Sequence, residues 1–321
     1  MGYLSNIMIE GLKFFAVFGG YGWGIVWLTI AVNLALYPLT LSSIKSMGAM
    51  QRIQPKIKKL QEKHKDDPKK LQQETMGLYK GEGINPFGGC LPVLLKIPFF
   101  LALFWAFQST AFMEIASNPA NNTGILWVDG RVAASQFQSA GLVKKLEKKD
   151  LLVLDKKASS RAGEEKFVWN AVLKVGDKSV KDLLRYASPE KVSDRKDVAL
   201  GFAKAGINLS EDEAGNVIAA WDDTNNLAKP ERLKTPFGAI SLFALLIGIT
   251  TYMMQKTMPA AGGGQAQMMT MFMPVFITFI SWNFPAGVQL YWLISNLVGA
   301  IQQYLITRRT GRVKEEKEDT L

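Results

Sequence analysis

Apolar and polar positions along the chain fall into blocks of three kinds. Five runs are almost wholly apolar: Gly22–Tyr37, Leu91–Met113, Phe237–Met254, Met268–Phe284 and Val288–Ile306, of 16, 23, 18, 17 and 19 residues. At ~1.5 Å of rise per residue, about twenty residues cross a hydrocarbon core ~30 Å thick, so these runs predict transmembrane helices. The first and fourth are short and need Leu39 and Thr40, Ala266 and Gln267, or a thinner bilayer. Ahead of them, Leu4, Ile7, Met8, Gly11, Leu12, Phe15 and Phe18 recur at helical spacing. That pattern predicts an amphipathic interfacial helix, with a frayed apolar tail as the alternative. Glu10 in its middle, no basic leading region and no small-residue cleavage site argue against a cleaved signal peptide.

The second kind of block is charged with narrow apolar stripes. Ile53, Ile57 and Leu60 mark one stripe, and Leu71, Met76, Leu78 and Tyr79 the other, with Asp66–Asp67–Pro68 between them. Asp67 suits a helix cap and Pro68 a first helical turn, so two short antiparallel helices form a mobile helical hairpin. The third kind is the mixed stretch Glu114–Thr235. Its 122 residues are enough for a small folded unit. Phe167–Val175 and Asn216–Trp221 alternate like strands, while Val180–Tyr186 and Val198–Ala205 read as short helices, giving a small α+β module. The predicted fold is an all-α polytopic membrane protein with an inserted α+β module. It comprises an interfacial helix (1–20), a first transmembrane helix (21–40), a hairpin (41–89), a second transmembrane helix (90–113), the module (114–235), three more transmembrane helices (236–306) and a basic tail (307–321).

Charge orients this plan. The chain carries 38 basic and 28 acidic residues, a formal net charge of +10. Between Leu41 and Cys90 ten basic residues face five acidic ones, and Arg308, Arg309, Arg312, Lys314 and Lys317 crowd the tail. The positive-inside rule and the parity of five crossings agree: N-terminus outside, hairpin and tail cytoplasmic. The module, with 20 basic and 18 acidic residues, lies outside, because long connections cross regardless of charge. One cysteine (Cys90) and one histidine (His64) exclude a disulfide framework and a Cys/His metal site. His64 lies in a charged run and reads as solvated, which leaves no basis for a catalytic triad. No cofactor, metal or enzymatic chemistry is expected.

The apolar runs carry polar residues in order. Thr29, Asn33, Tyr37 and Thr40 share one helix face, as do Gln289, Trp292, Asn296, Gly299 and Gln303. Such faces turn toward one another or toward water, because lipid cannot satisfy them. For Ser295 and Asn296, hydrogen bonding between helices is the competing reading. Lys96 is a cation inside the second run, worth ~2.5–3.5 kcal/mol on insertion scales at the bilayer centre. No Asp or Glu occurs in any of the five runs, which leaves a wet groove or snorkelling toward the cytoplasm, about 9 Å away along the helix. Met47, Met50, Met76, Met253, Met254, Met258, Met268, Met269 and Met271 cluster toward the inner side. They suit a surface adaptable to varied apolar ligands, or ordinary filling of helix ends.

Several ordered motifs give the chain a family resemblance. They are Pro38–Leu39–Thr40, Met50–Gln51, Gln54–Pro55–Lys56–Ile57, Leu78–Tyr79–Lys80, Asn85–Pro86–Phe87–Gly88–Gly89–Cys90–Leu91–Pro92 and Ile97–Pro98. Near the end follow Met273–Pro274, Phe284–Pro285, Leu290–Tyr291, Ser295–Asn296–Leu297 and Ile301–Gln302–Gln303. In this order they resemble the YidC/Oxa/Alb family of membrane-protein insertases, bacterial branch. The resemblance implies a five-helix insertase core around a hydrophilic groove open to cytoplasm and lipid, in the bacterial inner membrane. It implies no nucleotide or cofactor. The hairpin, with Gln54, Pro55, Asp67 and Pro68, receives the client, whose polar segment then enters the groove. Partners are nascent membrane proteins and the lipid bilayer, with the Sec translocon and the ribosome as candidates; nucleic acid is met only through the ribosome.

Two departures stand out. Asn33 occupies the position where the family carries an arginine, and Lys96 replaces a glutamine, so the positive charge moves from one helix to its neighbour. The expected groove residues are Lys96, Asn33, Thr29, Tyr37, Gln289, Trp292 and Asn296. Two alternatives stay open: a specialised assembly factor without general insertion, and a small-solute transporter. Against the transporter, no inverted repeat and no paired broken helices with carboxylates are visible.

Overall fold

A computed structural model of the protein describes residues 2–65, 67–84, 91–109, 111–112, 115, 125, 128–184, 186–236, 238–257 and 264–318. The Asn85–Cys90 part of the motif series, Asp66, Met113, Glu114, Met258 and residues 259–263 lie outside them. The architecture is mostly helical with a small sheet region. It divides into two compact units.

The first unit contains residues 1–25, 102–242 and 284–288. Helix α1 (Gly2–Ala16) and the start of α2 (Tyr21–Ala35) are joined by a turn in which Gly19 and Gly20 have φ of +126° and +90°. Only glycine takes such backbone freely. Across it the two helices bend by 112°. A Cβ on Gly24 would sit 3.1 Å from the Leu12 carbonyl oxygen, so its absence permits close packing. The buried side of α1 is Met8, Ile9 and Leu12, whereas Ile7 and Phe18, expected on the same stripe, are 44% and 63% exposed.

Helix α3 (Tyr37–Lys63) starts immediately after α2. Pro38 in its first turn brings no N–H, and the Thr40 amide and hydroxyl both donate to the Leu36 carbonyl, at 3.0 and 3.1 Å. The helix expected over 21–40 therefore breaks at Leu36, four residues earlier than expected. At 27 residues, α3 is not the short arm the pattern predicts; it passes Pro55 without ending. Helix α4 (Pro68–Gly81) is capped as expected, Asp67 Oδ1 accepting from the Lys70 amide at 3.0 Å. His64 is not solvated: it is 8% exposed, its Nε2 3.1 Å from Glu74 Oε2. That approach is out of hydrogen-bond alignment. A long first arm folded against the second encloses the ring. Helix α5 (Leu91–Gln108) follows.

The inserted module begins with β1 (Arg131–Ala133), then α6 (Ala140–Glu147), β2 (Leu152–Leu154), α7 (Lys156–Ala162) and β3 (Lys166–Trp169). The sheet order is β1-β3-β2, all antiparallel, with Val132 opposite Phe167 and Val153 opposite Val168. A small hairpin of β4 (Lys174–Val175) and β5 (Lys178–Ser179) leads to α8 (Val180–Leu184), α9 (Val192–Lys204) and α10 (Glu211–Asp223). Phe167–Val175 is thus two strands around a turn. Asn216–Trp221, expected as a strand, is helical. Ser210 accepts from the Glu213 amide and Glu213 from the Ser210 amide, a reciprocal cap that starts α10. Ala214, Val217, Ile218 and Trp221 bury one helical face.

The last part carries β6 (Leu233–Thr235) and β7 (Gly238–Ile240), then α11 (Leu242–Thr257), α12 (Gly264–Ser281) and α13 (Ala286–Glu318). The β6–β7 hairpin takes the start of the third apolar run, with Gly238 at φ +113°. Helix α13 runs 33 residues, through the expected tail. Among the described residues no single helix is long and apolar enough to cross a membrane alone. The stretches Tyr3–Ala16 and Tyr21–Ala35 meet that length and composition only as a bent pair.

Candidate functional site

In the second unit, residues 26–101, 243–283 and 289–321, α13 is the hub. Gln289 Nε2 donates to the Ser281 carbonyl of α12 at 2.7 Å. Trp292 meets Phe100 of α5 edge to face, centroids 5.2 Å apart. Lys96 Nζ donates to Ser295 Oγ at 3.3 Å. Asn296 Nδ2 donates to the hydroxyls of Thr250 and Thr251 on α11, each at 3.1 Å. A Cβ on Gly299 would lie 3.3 Å from Met254 Cε. Gln302 Nε2 reaches the Asn33 carbonyl of α2 at 3.5 Å. Lys96 with Ser295 and Phe100 with Trp292 pair in opposite order, so α5 and α13 are antiparallel. Thr250 with Asn296 and Met254 with Gly299 pair in the same order, so α11 and α13 are parallel.

These contacts lie on two faces of α13, not one. At ~100° per residue, Gln289 and Asn296 share a face toward α12 and α11, while Ser295 and Gln302, seven apart, share another toward α5 and α2. Sequence reading chose the first face. The second meets Lys96 and Asn33. Its signal is Ser295 and Gln302 at i and i+7 in the chain, whereas the single-face pattern places Gln303 inward instead.

Asn33 is 1% exposed, its Nδ2 donating to the Thr29 carbonyl at 2.8 Å, and its Oδ1 has no partner among the described residues. Thr29 is fully buried and Tyr37 half-buried. Lys96 makes no ion pair among the described residues; Ser295, 8% exposed, is its hydrogen-bond partner. Trp292 and Asn296 are half-buried and Gln289 is fully buried. The structure thus brings Lys96, Trp292 and Asn296 to adjacent turns of one helix, and Asn33 to another part of it. It also adds Ser295, Gln302, Thr250 and Thr251.

In the hairpin, Pro55, Asp67 and Pro68 are exposed and Gln54 is half-buried. Between the arms lies an open groove of about 310 Å³, lined among others by Ile57, Leu71, Met76 and Tyr79. Lys56 pairs with Glu82 at 2.6 Å near its far end.

The outward faces of this unit are apolar. On α12, Met271, Val275 and Phe279 are 70%, 68% and 76% exposed. Ile249 and Met253 on α11, and Ile301 and Leu305 on α13, are exposed too. A protein folded against water alone does not leave such continuous surface uncovered.

The first unit holds a seam of its own. The amides of Ala286 and Gly287 donate to the carbonyls of Lys229 and Leu227, at 2.7 and 2.8 Å. A Cβ on Gly287 would come within 2.7 Å of Phe107. Lys229 is packed over the Trp221 ring at 4.5 Å and donates to the Trp221 carbonyl. Burial pushes its ammonium down to about 8, against the pull of Asp222 and Asp223. Glu231 is fully buried and accepts from the Ser241 hydroxyl at 2.9 Å.

Fold and site together define a class: a helical protein whose helices bury amides and hydroxyls while turning apolar side chains outward. The model of the 60Kd inner membrane protein family matches residues 13–180 and 206–314, and the chain belongs to that family. It is 25% identical to the membrane protein insertase YidC of Legionella pneumophila (strain Corby) over 317 residues, 98% of this chain and 37% of that protein. It is 46% identical to the membrane protein insertase YidC of Cupriavidus necator over 102 residues, 32% of this chain and 18% of the relative. Among solved structures it is similar to an active YidC insertase crystal structure with the first transmembrane domain resolved. That match has a TM-score of 0.45, 18% identity, and covers 93% of this chain and 46% of that one. The chain spans little more than a third of the length of the Legionella relative.

Proposed function

We propose that the chain is the core of a membrane-protein insertase and chaperone of the bacterial inner membrane. It crosses the bilayer five times, with its N-terminus and the inserted module outside and the hairpin and C-terminal tail in the cytoplasm. Nascent membrane proteins are the clients, received by the hairpin and its groove; the Sec translocon and the ribosome are the candidate partners. No covalent chemistry is involved. The polar segment of a client enters between α2, α5 and α13, and its apolar segment leaves into lipid.

The observation that carries this reading is Lys96: a cation on an apolar helix, paired with a hydroxyl rather than a carboxylate. Held there, it attracts acidic or polar client segments and shortens their dry path. The apolar helices α2, α5, α11 and α12 have 15, 18, 16 and 18 residues, which favours a locally thinned bilayer. The membrane potential assists outward movement of negative client charge, at ~2.3 kcal/mol per charge per 100 mV.

The test is reconstitution into liposomes with a small single-span client, scored by protease protection of the translocated segment. Lys96→Ala lowers insertion about tenfold, the scale of one lost charge-assisted hydrogen bond, and Asn33→Arg restores it. Full activity of Lys96→Ala removes the proposal. The specialised assembly factor is the second reading, favoured by an Asn33 side chain spent on its own helix; it predicts no insertion of a generic client by the unaltered protein.

A further inference from the structure

The geometry points to Ser295 as a positioning residue: its hydroxyl seats the Lys96 ammonium toward α13 and so sets the preference for clients with carboxylates in the translocated segment. This rests on the insertase reading above.

A lysine near the cytoplasmic start of a helix has four methylenes with which to reach the surface. Charge alone does not hold it in a groove, and the apolar runs contain no Asp or Glu to pair with it. What holds it is built from three contacts. Phe100, one turn further along α5, packs on Trp292, one turn back along α13, fixing the antiparallel register in which Lys96 faces Ser295. Asn296, the next residue, is tied to Thr250 and Thr251, which fixes the rotation of α13. Ser295, 8% exposed, then offers its oxygen 3.3 Å from Nζ. A lysine ammonium has three N–H donors. One goes to Ser295, and the two without a partner among the described residues remain for client oxygens. Without the hydroxyl the charge stays but its place is lost, so a client carboxylate loses more than a neutral polar segment does.

The experiment compares two single-span clients in liposomes, one with two aspartates in its translocated segment and one with asparagines there. In the unaltered protein the acidic client inserts better. Ser295→Ala lowers the acidic-to-neutral ratio about tenfold, the lower end of the scale of a hydrogen bond to a charged group, and Ser295→Thr restores it. In a Lys96→Ala background, Ser295→Ala changes the ratio no further, because the two residues act as one unit. A Ser295→Ala protein with an unchanged ratio, or equal loss for both clients without rescue by Ser295→Thr, overturns the positioning role while leaving the insertase reading intact. Failure of the unaltered protein to insert either client overturns both.

Discussion

The inserted module and the helical core solve burial in opposite ways. In the module, Phe167, Trp169, Phe202 and Trp221 are all at most 2% exposed, and the outside is charged, as in Lys145–Glu213 and Lys204–Asp177. In the core, Thr29, Asn33 and Gln289 are at most 1% exposed, while Phe279 and Val275 stand out at 76% and 68%. One region is ordered by water outside it. The other needs a medium in which phenylalanine is content on the surface and asparagine is not. The contrast separates the solvents of the two regions more sharply than helix length does, since the core helices are short.

The largest effect that breaks the comparison comes from matched truncations. Phe202→Ala removes a fully buried ring from the module and costs ~3–5 kcal/mol. Phe279→Ala, on the exposed face of α12, removes a ring that lies 76% exposed to the surrounding medium and costs a few tenths of a kcal/mol in a bilayer, following the per-residue insertion scale. Denaturation of the protein in lipid bicelles, followed by tryptophan fluorescence of the module and by circular dichroism of the whole, reads both. Equal losses at the two sites would mean that α12 packs against protein rather than lipid.

A smaller effect comes from Lys229. Its pKa in the folded module, about 8, lies below the value near 10.4 of a free lysine. Between those values the unfolded chain binds more protons than the folded one, so stability rises with pH over that window. The full span amounts to at most about 3 kcal/mol. Chemical denaturation from pH 7 to 10.5 measures it, and Lys229→Met flattens the slope. Titration of the lysines outside the module contributes nothing to a transition read through Trp221.

How much of this was legible in the sequence follows the range of the interactions involved. The hairpin turn was readable because Asp67 and Pro68 act within one helical turn. Lys96 was readable because no neighbour is needed to make a cation in an apolar run anomalous. Gln302 and Ser295 were not chosen, because an assumed single inward face fails for a helix surrounded on two sides; only packing reveals that α13 carries polar residues toward α11 and α12 and again toward α2 and α5. His64 looks solvated by its charged neighbours, and its burial beside Glu74 depends on how α3 and α4 fold together, which those neighbours do not signal. The break at Leu36 and the β6–β7 hairpin moved the helix ends for local reasons, a missing proline N–H and a left-handed glycine.

The smallest effect tests the module's one misread element. Asn216–Trp221 alternates well enough to pass for a strand, and nothing within those six residues forbids it. The decision is made earlier, where the Ser210 hydroxyl and the Glu213 carboxylate each satisfy the other's free amide and three acids occupy the first turn of α10. Ser210→Ala removes one partner and costs ~1 kcal/mol, with Glu213→Gln losing less because its amide oxygen still accepts. Unfolding of the module read at Trp221 resolves both. If the local cap selects helix over strand, the Ser210→Ala loss appears in the module transition and leaves the core signal unmoved; a loss shared equally by the core would tie α10 to the core helices and erase the separation of the two regions.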